Sequence, residues 1–417
     1  MKTDRLLVLG FVFFFLLLSC RAESGPGGRS AERPLFEAEL LFPPEPVHNH
    51  SSSIVECSNG SLLVCWYRGS GERTADDVAV LGSRKEKNQK NWSRPFRMAD
   101  TPRYPDTNPI LFIDPQKKLW LIYSTVLDNQ WQSALLKYKT STNYLRPGPP
   151  LWSDGDLIHV TPDAAFAPQV ERAAAAMADS LPSPKLKAEL EGIRKRASNK
   201  LYQRIGWMPR VHMLALGPRH WILPLYSDGF DFSIMAITTD GGSTWEAGGP
   251  MIGMGNVQPS LVRKKDGTLA AYMRDNGPPP NRIPCSESKD EGRTWSEVRD
   301  LPIPNSGASI EIVSLRSGAW ALAYNDLEEG RYRLAVALSE DEGRTWPWKR
   351  YVERDPTPAE DPKAFRGSYH YPSLLEASDG SIHLTYSYYP KEGQTIKHAR
   401  FNEAWIRQAG RPDPSPK

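Results

Sequence analysis

Short apolar runs, each four to six residues long and broken by turn residues, recur in pairs along the chain. Residues 53–57 and 61–66 flank Ser58-Asn59-Gly60, and residues 109–113 lead to 119–123. The same pairing joins 209–214 to 221–226, 259–262 to 268–272, 309–313 to 320–324 and 372–375 to 382–386. Runs this short, bounded by Gly, Asn, Asp and Pro, predict buried strands, and each pair predicts a hairpin. After the later pairs comes [Ser/Thr]-x-Asp-x-Gly-x-Thr-Trp, complete at residues 238–245, 288–295 and 339–346. In such a box the Asp can bond amides of its own turn and the Gly can take positive φ. The Thr restarts a strand and the Trp supplies an apolar anchor, so the box closes a hairpin and performs no chemistry. Trp245, Trp295 and Trp346 lie about 50 residues apart, within the period of propeller blades, and degenerate copies end at Trp92 and Trp152. Strand, turn, strand, turn, box, taken six times, predicts an all-β, six-bladed β-propeller.

One stretch breaks the period. Residues 162–206 are rich in helix formers, as in Val170-Glu-Arg-Ala-Ala-Ala-Ala-Met-Ala and Lys185-Leu-Lys-Ala-Glu-Leu, and predict a short helical insertion between blades two and three. It serves either as decoration of the scaffold or as a wall of the substrate site. The chain's 417 residues suit one closed propeller, and its 37 prolines and 31 glycines suit a turn-rich fold. A formal charge of +3 with 24% charged residues gives no basic surface for nucleic acid.

The ends carry their own signals. Residues 1–20 read as an export signal, with Lys2 and Arg5 before an apolar stretch. The ending Leu17-Leu18-Ser19-Cys20 is similar to a lipobox, which would lipidate Cys20 and attach the protein to a membrane. An ordinary cleaved signal and an uncleaved anchor are the alternatives. Residues 21–44 read as a tether, 45–405 as the propeller and 406–417 as a tail. The product would be an exported monomer in the periplasm or on the cell surface. Cys57, Cys65 and Cys285 show no disulfide pattern and read as core thiols.

In a propeller the first strand of each blade lines the central channel, and its starting end meets the end of the second strand at one mouth. First-strand entrances are His50, Asn108, Met208 with Arg210, Gln258, Ser306 and Tyr371. Second-strand exits are Arg68, Ser124, Asp228, Arg274 with Asp275, Asn325 with Asp326, and Tyr388; the loop after the first adds Glu72, Asp76 and Asp77. Such a polar, arginine-bearing set suits an anionic, hydroxylated ligand, because guanidinium forks onto carboxylates. His370, His383 and His398 lack metal-ligand spacing, and no metal or cofactor is assigned.

With the boxes and this mouth the chain resembles the sialidase superfamily, in particular the bacterial BNR-repeat sialidase-like proteins, over about residues 45–405. The resemblance implies three arginines holding a substrate carboxylate, an acid/base Asp, and a Tyr nucleophile assisted by a Glu. Arg274 and Arg331 match the second and third arginines, with Arg333 an alternative to Arg331, and Tyr371 matches the nucleophile. His50 stands where the first arginine belongs, and Gln258 where the glutamate belongs. Glu72 and Asp77 share the acid/base position, and Glu311 is a possible partner for Tyr371. Arg68, Arg210 and Asn325 complete the expected binding set. The implied function is an exo-glycosidase acting on a terminal, acidic sugar of a glycan. The alternatives are a lyase or hydrolase acting on uronic acids, in which His50 or Tyr371 takes a proton, and a glycan-binding propeller without turnover.

Overall fold

The computed structural model describes residues 33–408 except 180, 182 and 358. Residues 1–20, read above as an export signal, and with them Cys20, lie outside the described residues. From Pro34 onward the chain forms one compact unit of six antiparallel sheets, five of them with four strands and that of blade three with five. Blade one comprises His48–Glu56, Leu62–Gly69, Ala79–Lys85 and Phe96–Ala99, and blade two runs from Asp106–Ile113 to Asp156–Leu157. Blade three starts at Met208–Pro209 and Leu214–Ala215 and ends at Glu246–Ala247. Blade four spans Asn256–Arg263 to Arg299–Pro304, and blade five Glu311–Ser314 to Trp348–Arg354. Blade six has Gly367–Glu376, Ile382–Pro390 and Thr395–Phe401, and its outer strand is Phe36–Leu40 from the start of the chain. Those five residues, placed in the tether by the sequence, pair with Thr395–Phe401 in full register. They close the ring: the first strand completes the last blade.

A device repeats in the channel-lining strands. In blades one, two, four and six the register slips by one residue, between His50 and Ser53, Thr107 and Ile110, Val257 and Ser260, and His370 and Ser373. Ser51, Asn108, Gln258 and Tyr371 sit at those bulges in left-handed backbone, with φ of 59°, 48°, 54° and 53°. A bulge re-aims a side chain that a regular strand would leave in the sheet face. The serine two residues on accepts a hydrogen bond from the next blade's backbone. Leu111 N donates to Ser53 Oγ at 3.1 Å, Ile312 N to Ser260 Oγ at 3.0 Å, and Ile54 N to Ser373 Oγ at 3.3 Å.

The Asp boxes fold as their residue types require. Asp240 accepts from Ser243 N at 2.9 Å, Thr244 N at 3.0 Å and Thr244 Oγ1 at 2.7 Å, and Asp290 and Asp341 hold Thr294 and Thr345 in the same way. The box glycine also touches a neighbouring blade. Gly242 has φ 87°, and a Cβ there would lie 2.7 Å from the ring of Trp120 in blade two.

The insertion forms helices α1 (Phe166–Ala178), α2 (Pro184–Ala197) and α3 (Lys200–Arg204). Ser183 caps α2 by accepting from Leu186 N, with Pro184 at the first helical position. Phe166, Val170, Ile193 and Ala197 join the core cluster of blades two and three. Cys57, Cys65 and Cys285 are free, buried thiols. No helix among the described residues is long and apolar enough to cross a membrane.

Glu39 ties the closing strand to blade one. It accepts from Lys85 Nζ at 2.5 Å and Trp92 Nε1 at 3.0 Å, and meets His398 Nδ1 at 3.0 Å. Burial pushes its carboxyl up, but the hydrogen bonds to His398 and Lys85 outweigh this and hold it down at about 2. A carboxylate depressed in the folded state contributes stability that is complete above its unfolded value of about 4.3 and is lost as pH falls through about 2. Glu39→Gln should therefore cost about 1–2 kcal/mol at neutral pH, allowing for solvent screening at a one-third-exposed carboxyl. In thermal melts the gap between the two proteins should close as pH falls from about 4.5 towards 2.

Candidate functional site

The channel mouth opens into a cavity of about 480 Å³. Its lining includes the re-aimed Asn108, Gln258 and Tyr371, and it also takes His50, Glu72, Arg274 and Arg331 from the expected set. Tyr371 stands at the centre, its oxygen accepting from Arg274 Nη1 at 2.9 Å and from Gln258 Nε2 at 3.2 Å. Gln258 Nε2 also lies 3.2 Å from the hydroxyl of Tyr226, which accepts from Asn108 Nδ2 at 3.1 Å. The guanidinium groups of Arg210 and Arg331 lie 5.0 and 5.8 Å from the Tyr371 ring centre. The edge of the His50 ring packs on the same ring, with centroids 4.1 Å apart. An oxygen that accepts two hydrogen bonds beside guanidinium groups is well placed to carry negative charge.

Arg331 is fixed by Gly307 O and His370 Nδ1, each 2.7 Å away. A guanidinium only donates, so His370 Nδ1 offers its lone pair to Arg331 and the neutral ring's Nε2–H faces Ser368 Oγ at 2.7 Å. Burial first, and Arg331 next, push His370 well below the ordinary imidazole range. Burial followed by His370 and His48 does the same to His50, whose Nδ1 lies 2.6 Å from the Tyr389 hydroxyl.

Three carboxylates face the cavity. Glu72 is positioned by the Tyr67 hydroxyl at 2.8 Å, and Asp228 and Asp231 come from the turn after the second strand of blade three. Burial raises Asp228 and Asp231, and the charge of Asp228 helps to bring Asp231 to about 7. The insertion supports this turn from behind. Phe230 stacks on Trp207 at 5.3 Å and meets Phe166 of α1 edge-on at 5.4 Å. No residue of α1, α2 or α3 lines the cavity, so the insertion buttresses the site and does not wall it.

Five expected site residues stand elsewhere. Asp77 turns back to cap Ser70, accepting from its N at 3.0 Å and its Oγ at 2.9 Å. Arg68 pairs with Glu45 at 2.7 Å outside the cavity lining. Asn325 is fully buried and donates to Tyr369 O at 3.2 Å. Arg210 is 1% exposed and donates to Pro372 O at 2.9 Å, so it supports Tyr371 from beneath and cannot reach a ligand. Glu311 pairs with His212 and accepts from Leu374 N, facing a separate hollow at the opposite end of the channel. Its two oxygens are committed there, and among the described residues Tyr371 has no carboxylate partner.

Several lining residues were not in the expected set: His48, Trp131, Tyr226, Asp231, Asn276, His370 and Tyr389. Tyr389 was within reach, since it adjoins the expected Tyr388. Asp231 had no sequence signal beyond its turn. Among the described residues no group of three or more His, Cys, Asp or Glu side chains is placed to hold a metal.

Fold and mouth together define a six-bladed propeller of the sialidase type. The family described as BNR repeat-like domain matches residues 60–174 and 206–384, and the chain belongs to it. A sialidase of Micromonospora viridifaciens is 27% identical over 184 residues, which are 42% of this chain and 26% of that protein. A Dyadobacter fermentans protein of unknown function superposes with a TM-score of 0.66 at 13% identity, covering 89% of this chain and 98% of its own. An intramolecular trans-sialidase from Ruminococcus gnavus, solved with oseltamivir carboxylate, superposes with a TM-score of 0.61 at 14% identity, covering 88% and 96%. These superpositions show the fold alone.

Removing the like charge beside Asp231 should ease its ionisation. In Asp228→Asn the Asp231 carboxyl, followed by carbon-detected NMR titration, should fall from about 7 and remain above the ordinary range, because burial persists. An unmoved value would show that the two carboxylates do not interact.

Proposed function

We propose that this protein is a sialidase-like exo-glycosidase that removes a terminal, carboxylate-bearing sugar from a glycan. The observation that carries the reading is the convergence of Arg274 and Arg331 on Tyr371 at the channel mouth. Each terminal guanidinium nitrogen carries a second hydrogen, so both arginines can hold a carboxylate while keeping their protein contacts. That hold would set the anomeric carbon over the Tyr371 oxygen, which loses its proton to solvent at the open mouth and attacks that carbon as the glycosidic bond breaks. Glu72, hydrogen-bonded in place by Tyr67, would give its proton to the leaving oxygen and later take one from the incoming water. The sialidase relative, matched over about a quarter of its own length, supports this substrate class. His50 removes one cationic contact, so the sugar acid is held by two arginines, not three.

A second reading draws on Gln258. An amide and Arg274 on the tyrosine oxygen, with no carboxylate beside it, is also an arrangement for proton abstraction α to a neutralised carboxylate. A lyase would leave an unsaturated product absorbing in the ultraviolet.

Purified protein should release sialic acid from an aryl sialoside. Tyr371→Phe and Arg274→Ala should each cut kcat/KM by about a hundredfold or more, with melting curves checking that both variants fold. Release unaffected by either change would remove Tyr371 and Arg274 from the mechanism. An ultraviolet-absorbing product from a uronic-acid polysaccharide would select the lyase.

A further inference from the structure

The glycosidase reading uses Tyr371, Arg274, Arg331 and Glu72 and leaves two carboxylates of the same cavity unemployed. Asp228 and Asp231 accept no side-chain hydrogen bond, and neither has a cation within ion-pair distance, among the described residues. Arg274 and Arg73 act on Asp228 through space. The turn cannot swing them into solvent, because Phe230 between them is buried against Trp207 and Phe166. Asp231 itself is held in left-handed backbone at φ 54°. Two neighbouring half-buried carboxylates without partners are costly, and a neutral hydroxyl relieves less of that cost than a cation does. Gln258, 2% exposed and lining the same cavity, likewise keeps an unpartnered Oε1. The cavity therefore sets two guanidinium groups and a group of unpartnered acceptors, Asp228, Asp231 and Gln258 Oε1, in one lining.

We propose that the sugar acid bound here carries a free, protonated amino group, with its carboxylate on Arg274 and Arg331 and its ammonium between Asp228 and Asp231. This rests on the glycosidase reading above and narrows it to a zwitterionic substrate. N-acylation removes the positive charge and leaves one N–H for two carboxylates, so the acylated sugar is the poorer ligand.

The test compares aryl ketosides of neuraminic acid with the C5 amine free or N-acetylated, using the full chain and its Asp228→Asn and Asp231→Asn variants. Native protein should favour the free amine by about tenfold or more in kcat/KM, the scale of a hydrogen bond to a charged group. The ratio should fall towards one in each variant. Equal turnover of both ketosides by the native protein, or a native preference for the acetylated one, would overturn the inference while leaving the glycosidase reading intact. A native preference that both variants retain, both substrates being lost or spared in equal proportion, would also overturn it; equal loss would mark the aspartates as general acid machinery. If native protein turns over neither ketoside, the sialic-acid reading fails, and calorimetry with the two methyl ketosides then decides the inference separately. Tighter binding of the free amine supports it, and equal or weaker binding overturns it.

Discussion

The left-handed residue in four of the six channel-lining strands is the constraint on which the site depends. Non-glycine residues in this backbone region cost about 1–2 kcal/mol each, yet Ser51, Asn108, Gln258 and Tyr371 all adopt it. The bulge brings the serine that follows in three of these strands under the next blade's amide, so the strain accompanies contacts that tie neighbouring blades. It also turns Asn108, Gln258 and Tyr371 into the mouth. Scaffold and site thus share one backbone feature, and a change that relaxed a bulge would disturb both.

That same feature sets how far the sequence is legible. Periodic apolar runs and Asp boxes are local, and they reveal the blades, the hairpins and the helical insertion. Their positions also bring His50, Gln258, Arg274 and Tyr371 to one mouth, and the resemblance to sialidases adds Arg331. Side-chain direction is another matter. A bulge shifts the alternation of its own strand by one, as at Tyr371, whereas along Ile382–Pro390 strict alternation turns Tyr389 to the cavity and the expected Tyr388 away from it. The closing strand was illegible because its partner, Thr395–Phe401, is some 360 residues away and its own burial is slight. Asp77 and Arg68 were misplaced because a loop carboxylate or rim arginine can satisfy itself locally, against Ser70 and Glu45.

Arg210 shows a deeper limit. A guanidinium at a strand entrance reads as a ligand, yet this one lies beneath Tyr371 with Nε and Nη1 unpartnered. Burial pushes it below its ordinary value, and Glu311 is the first group that opposes this. Glu311 in turn pairs with His212, whose other nitrogen lies 2.8 Å from Ile54 O. Burial opposes a charge on His212, but the Glu311 carboxylate prevails and raises it. Blades one, three, five and six therefore meet in a charged plug across the channel. Uncompensated, a buried guanidinium would be among the costliest groups in the molecule. Offset through space by Glu311, it is a fixed cation against the Tyr371 ring. Glu311 does not touch Tyr371, yet it holds in place the charge beneath it, so the tyrosine has Arg210 and Arg331 beside its ring and Arg274 and Gln258 on its oxygen.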